Sequence, residues 1–158
     1  MKEVVYSLEK EQIHNSEGAF VAQIPAIFSK KELTDYYGKE LNIPDYWGNN
    51  WDELVDDLRD LNWIKTRNIH IIHENLSYLP DKDLSVYLSI VYVIAMFWRQ
   101  YPSTHHITFF FNPEEKERID AVFRKEAEEV EKQYHLIEKL NEMKLCGEID
   151  NPNSHSRI

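Results

Sequence analysis

The sequence predicts an α/β protein: a small three-stranded parallel sheet packed by helices, with a long helix added at the C-terminal end. Three observations lead there. Three short apolar segments, Ala19–Ile24, Asn68–His73 and His106–Phe111, read as strands. Segments of helical periodicity separate them, and strands joined through helices pair in parallel with right-handed crossovers. A polar stretch from Glu114 to about Lys144 then carries an apolar stripe at helical spacing.

Residues 1–18 are polar and end at Gly18, although Val4, Val5 and Tyr6 have the composition of a short edge strand. AFVAQI is apolar and stopped by Pro25, as a buried strand should be. Ser29 stands where an N-cap belongs, with Glu32 at capping-box spacing. A helix from Lys30 to about Glu40 follows, with Leu33, Tyr36, Tyr37 and Leu41 on one face. Asn42–Asn50 (NIPDYWGNN) is dense in turn formers and forms a loop. Asn50 can cap a second helix, Trp51 to about Leu61, whose apolar positions are Trp51, Leu54, Val55, Leu58 and Leu61. NIHIIH is the next strand. Pro80-Asp81 opens a third helix that runs through Tyr87, Ile90, Val91, Ile94 and Phe97 to about Tyr101. It is apolar nearly all round, which predicts burial. HITFFF is the last strand, bounded by Asn112-Pro113.

The final helix carries Ile119, Val122, Phe123, Val130, Tyr134, Ile137 and Leu140 as its stripe. Its ten acidic and seven basic residues between 114 and 144 suit a solvated outer face. The stripe is short and interrupted for a coiled coil, so packing onto its own domain, and a monomer rather than a homodimer, is expected. The organisation expected is a domain over 1–112, a helical extension over 113–147 and a disordered tail over 148–158.

Composition limits the function. Of 158 residues, 42% are hydrophobic and 13% aromatic, enough for a core. Eighteen Lys and Arg against 28 Asp and Glu give a formal charge of −10, which repels nucleic acid phosphates and anionic membranes. The partner expected is a small molecule or a basic protein. The single Cys146 excludes an internal disulfide and a Cys-rich zinc site. The longest apolar run, Ile90–Trp98, has nine residues, about half of the ~20 a membrane span needs. No signal peptide is visible in MKEVVYSLEKEQ. A cytoplasmic protein is expected.

Pro44–Trp63 (PDYWGNNWDELVDDLRDLNW) is the informative segment. Asp52, Asp56 and Asp60 recur at i, i+4 and i+8 and form an acidic stripe, which Glu53 and Asp57 thicken. Like charges at this spacing cost a helix a few tenths of a kcal/mol per pair. Only Asp52 and Glu53 stand near the positive end of the helix dipole, and Arg59 is the one local cation. Folding does not ask for this stripe, whereas a cationic partner would. Tyr46 and Trp47 ahead of it add contact area at low entropy cost, and the carboxylates select a basic target. The competing reading, a solvated acidic face with core aromatics, has equal weight on composition alone; Trp51 and Trp63, at the helix ends, suit the core.

LNIPDYWGNNWDELVDDL resembles the signature segment of the barstar family, the intracellular inhibitors of barnase-type ribonucleases. The resemblance extends back to AFVAQI and forward to ITFFF, over about residues 19–111. It implies a three-stranded parallel sheet packed by helices, and an inhibitor that plugs a nuclease active site with the loop and second helix. The contact positions it implies are Tyr46, Gly48, Asn50, Trp51, Asp52, Val55 and Asp56, with Asp52 and Asp56 as the two key carboxylates. Two departures bear on which nuclease is bound rather than on whether the partner is cationic. Val55 stands at an aromatic position of the family, and Arg99 at an acidic contact at the end of the third helix.

Other signals are weaker. Asp56-Asp57-Leu58-Arg59-Asp60 matches a magnesium-binding DDxxD pattern, but the enzymes that use it carry a second acidic motif not found here. His70 and His73 are i and i+3 on a strand, so their rings diverge and no metal site follows. No Ser-His-Asp arrangement and no phosphate loop is present. The expectation is therefore a non-enzymatic, cofactor-free immunity protein. It would neutralise a cytotoxic, barnase-type or related ribonuclease through Tyr46, Trp47, Gly48, Asn50, Trp51, Asp52, Val55, Asp56, Asp60 and Arg99. The alternatives are an acidic regulatory module for another basic protein and, third, a magnesium-dependent enzyme using the aspartates.

Overall fold

A computed structural model of the chain describes residues 1–8, 11, 17–44 and 50–145. The expected tail, 148–158, and the loop residues Tyr46, Trp47 and Gly48 lie outside the described residues. The elements run β1 (Val4–Tyr6), β2 (Phe20–Ile24), α1 (Lys30–Glu40), α2 (Trp51–Asp60), β3 (Asn68–His73), α3 (Asp81–Trp98), β4 (His106–Phe111), a 3₁₀ turn (Pro113–Glu115) and α4 (Lys116–Leu145). The chain divides into two compact units, Met1–Phe123 and Arg124–Ile158.

The sheet has four parallel strands in the order β1-β4-β3-β2, not the three expected. Its centre follows the apolar pattern: β4 is buried from Ile107 to Phe111, and Ile69, Ile71, Ile72 and His73 are buried in β3. Strands covered on both faces read as such continuous apolar runs. The added strand pairs Val4, Val5 and Tyr6 with Phe109, Phe110 and Phe111. Three residues are too few to show alternation in a sequence. What holds them is remote in the chain. Phe109 N donates to Glu3 O (2.7 Å), Ser7 N to Phe111 O (3.1 Å) and Tyr6 OH to Asp120 Oδ1 (2.7 Å), with Lys116 Nζ 4.8 Å over the Tyr6 ring.

Helix starts follow the sequence. Ser29 Oγ accepts from Glu32 N (3.2 Å), the first half of a capping box, while Glu32 reaches back one residue further to Phe28 N (2.9 Å). Asn50 Oδ1 accepts from Asp52 N (2.8 Å) at the start of α2. α3 buries Leu84, Tyr87, Leu88, Ile90, Val91, Ile94, Ala95 and Trp98, and ends at Trp98, three residues before the expected limit.

Beneath α1, α2 and α3 lies a buried polar chain. His73 Nδ1–H donates to Phe110 O (2.8 Å), and Tyr87 OH donates to His73 Nε2 (2.5 Å). Tyr37 OH completes it with a short hydrogen bond to the Tyr87 oxygen. Burial pushes the His73 ring down to about 4 and the two phenols upward. Both nitrogens of a neutral imidazole are thereby matched, one as donor and one as acceptor. His70, on the opposite face of β3, is half-buried and edge-on to Phe110, so the two histidines diverge as expected.

The first turns of α4 belong to the first unit. There Ile119 is buried and Val122 and Phe123 pack partly on the core. In the second unit Val130, Tyr134, Ile137 and Leu140 are exposed. Among the described residues no helix is long and apolar enough to cross a membrane.

Candidate functional site

The geometry of α2 sorts its ten residues by chemistry. Leu54 and Leu58 are fully buried, while Trp51, Glu53, Val55 and Asp57 are half-buried. Asp52, Asp56, Arg59 and Asp60 are exposed. Burial of two leucines contributes roughly 2–3 kcal/mol each and fixes which way the helix faces. The i, i+4, i+8 spacing then leaves the three aspartates together on the solvent side.

The carboxylates of this face are largely without cations of their own. Arg59 Nη2 lies 2.9 Å from Asp56 Oδ1, an exposed i, i+3 pair with Asp56 74% accessible. Such a pair is worth about 0–1 kcal/mol and is readily exchanged for a better one. Among the described residues neither Asp52 nor Asp60 forms an ion pair. Asp57, on the inner margin, has Oδ2 buried without a hydrogen-bond partner. Burial first, then the charges of Glu53, Asp56 and Asp60, push its carboxyl above the usual range.

At the N-terminal end of α2, Trp51 is stacked over Tyr87 at 6.5 Å, with Lys30 Nζ 5.4 Å above its ring. Trp51 thus joins the acidic face to the buried chain below it. Trp63 is a packing residue, its indole N–H bonded to Leu41 O (2.8 Å).

Arg99, the C-cap of α3, is engaged within the chain. Its Nε and Nη2 donate to Glu3 Oε1 and Oε2 at 2.6 and 2.8 Å. The Glu3 side chain is 4% accessible, and the guanidinium beside it holds its carboxyl below the usual range. The added strand β1 therefore brings its own carboxylate to the arginine, and the charge that seemed reversed at this point is balanced. Sequence reasoning did not foresee this pair, because only the register of β1 on β4 brings Glu3 to the end of α3.

Trp98 is likewise not singled out by sequence reasoning, and His105, beside His106, reads there only as part of a diverging histidine pair. Trp98 Nε1–H donates to Leu58 O of α2 (2.8 Å), and the His105 ring stands 3.1 Å from Leu61 O. No sequence signal marks them, since indole and imidazole partners of a distant helix end carry no local spacing.

The magnesium reading gains no support: among the described residues no group of three or more His, Cys, Asp or Glu side chains is placed to hold a metal ion. Aspartates four residues apart on one helix line up along the axis rather than converge.

Comparison with known proteins adds one finding. The family model described as "Barstar (barnase inhibitor)" matches residues 18–111, which span β2 to β4 and contain all of α2. β1 with Glu3, and α4, lie outside the match. No curated protein and no solved structure matches the chain.

Proposed function

The chain belongs to the Barstar family of barnase inhibitors, and from that premise we propose that it binds a ribonuclease and occludes its cationic active site with α2 and the loop ahead of it. One observation carries the reading. α2 is packed by two buried leucines yet turns Asp52, Asp56 and Asp60 outward, with a single exposed arginine among them. Those groups take the place of RNA phosphates opposite the Arg, Lys and His side chains of the nuclease. Asn50 and Trp51 fix the start of the helix, Val55 lies on its margin, and Tyr46, Trp47 and Gly48 precede it in the sequence. Arg99, balanced by Glu3, adds no repulsion towards a cationic target.

In this reading the protein is not an enzyme, needs no cofactor and acts as a monomer. It contacts neither nucleic acid nor membrane. It serves as an immunity protein in the cytoplasm of the cell that makes the toxin. The test mixes the purified protein with a panel of barnase-type ribonucleases and follows RNA cleavage. The parent should inhibit, and Asp56→Ala should weaken inhibition by about 2–5 kcal/mol, a range to which barnase–barstar charge pairs themselves contribute. Inhibition by Asp56→Ala equal to the parent's would refute the carboxylate mechanism.

The second reading keeps the fold and changes the partner to another basic protein in a regulatory setting. Val55 and the long helix outside the family match favour it. Copurification from the native cell separates the two, since the captured partner either cleaves RNA or does not.

A further inference from the structure

The C-terminal end of α2 holds acidic groups where a helix tolerates them least. Asp56, Asp57 and Asp60 stand in its last turns, beside free carbonyls that already carry partial negative charge. Arg59, the basic residue of that turn, is engaged with Asp56. The cap itself, Leu61, is a buried leucine at φ 49°, a left-handed conformation that ordinary side chains avoid. Its own backbone closes the end with Leu61 N donating to Asp57 O (3.2 Å) and Ile64 N to Leu61 O (3.1 Å), and two side chains reach it from outside. Trp98 donates its indole N–H to Leu58 O at 2.8 Å. His105 lies between Leu61 O and Thr66 O, with Nε2 3.1 Å from the first and Nδ1 3.1 Å from the second. The two rings meet edge to face at 4.9 Å. A cleft bordered by Lys2, Glu3, Trp98, Arg99, His105 and Ile107 lies beside them.

We propose that Trp98 and His105 are positioning residues, a clamp on the carbonyls of Leu58 and Leu61 that sets the direction in which Asp56 and Asp60 face the partner. This rests on the inhibitor reading. The clamp keeps the acidic turn in its bound orientation before the partner arrives. Its loss makes binding bear the ordering of that turn.

Trp98→Phe keeps an aromatic ring in the core and removes the donor. It should raise the Kd for the inhibited ribonuclease about tenfold, roughly one hydrogen bond's worth, well below the melting temperature. A purely structural tryptophan would act independently of the aspartates. Under the clamp, the cost of Trp98→Phe shrinks in an Asp60→Asn background, whose interaction depends on that turn, and persists in an Asp52→Asn background at the far end. Hydrogen exchange of the amides in the last turn of α2 should accelerate while β3 and β4 amides keep the parent's rates. His105→Gln, which retains one donor, should lie between the parent and His105→Phe, and it serves should Trp98→Phe not fold.

The outcomes separate two failures. If Asp56→Ala weakens binding but Trp98→Phe binds as the parent does, or adds equally to both aspartate variants, the clamp is refuted and the inhibitor reading stands. If Asp56→Ala also binds as the parent does, the carboxylate mechanism fails and the clamp with it; if the parent itself binds no ribonuclease, the inhibitor reading fails. Unchanged exchange at the end of α2 refutes the clamp whatever the binding result.

Discussion

Acidification is the sharpest physical test of the core beneath α2. His73 is held neutral between Phe110 O and Tyr87 OH, and burial lowers its ring from the ordinary 6.5 to about 4. The unfolded chain therefore takes up this proton first as pH falls. The stability contributed by the neutral ring is complete above pH 6.5 and declines continuously towards pH 4. At about 1.4 kcal/mol for each pH unit of that interval, the loss reaches on the order of 3 kcal/mol. This is a large part of the ~5–15 kcal/mol that ordinarily holds a domain together.

The assay is urea unfolding of the parent and of His73→Gln from pH 8 to pH 4. Glutamine supplies a donor and an acceptor but no titrating ring, and the difference between the two curves removes what the carboxylates contribute. Asp57 and Glu115, both raised by burial, work in the opposite direction in each protein alike. The difference should be flat above pH 6.5 and fall by about 3 kcal/mol by pH 4. A flat difference throughout, or a folded-state ring titrating near 6.5 by NMR, would refute the account of this site. Because Trp51 stacks on Tyr87, its fluorescence should change along with the His73-dependent loss.

Four further outcomes follow from the same contacts. Leu58→Ala, at a fully buried position of α2, should cost about 2–5 kcal/mol in unfolding free energy and weaken inhibition as well. Association with the ribonuclease, followed by stopped flow, should slow steeply as salt rises past 0.1 M, where the screening length is ~10 Å, while dissociation changes less. Arg99→Ala should lower the melting temperature more than Glu3→Gln, because the first leaves a buried carboxylate alone and the second leaves an exposed guanidinium in water. Calorimetric titration with Mg²⁺ should show no saturable heat, and a saturable heat lost in Asp56→Asn would revive the magnesium reading.

How much of this was legible in the sequence depended on how local the signal was. α1 and α2 announce themselves through Ser29, Glu32 and Asn50, whose side chains bond within four residues. β3, α3 and β4 are apolar-rich segments flanked by turn formers and prolines; β3 and β4 fall where expected, and α3 starts where expected and ends three residues early. The acidic stripe on α2 follows from residue spacing alone. What stayed hidden depends on partners far along the chain. β1 is a strand because of β4, Asp120 and Arg99. The polarity of the core at Tyr37, His73 and Tyr87 links residues up to 50 positions apart. Phe97-Trp98 reads as the end of an apolar run, yet the tryptophan N–H is committed to another helix.

The stripe on α2 is a small penalty on a well-anchored helix. Asp52–Asp56, Asp56–Asp60 and Glu53–Asp57 are like-charge neighbours at i, i+4, together roughly 1 kcal/mol against the helix. Leu54 and Leu58, fully buried, contribute several times that in its favour. The helix is therefore secured by its inner face, and its outer face is left to another selective demand. Under the proposed function, a cationic site laid over it would remove the mutual repulsion and leave the anchoring untouched, so the same carboxylates that weaken the free protein would strengthen the complex. Replacing Asp60 by Asn should accordingly raise the free protein's stability by a few tenths of a kcal/mol while weakening inhibition. Parallel changes in the two measurements would show that the outer face serves the fold and not a partner.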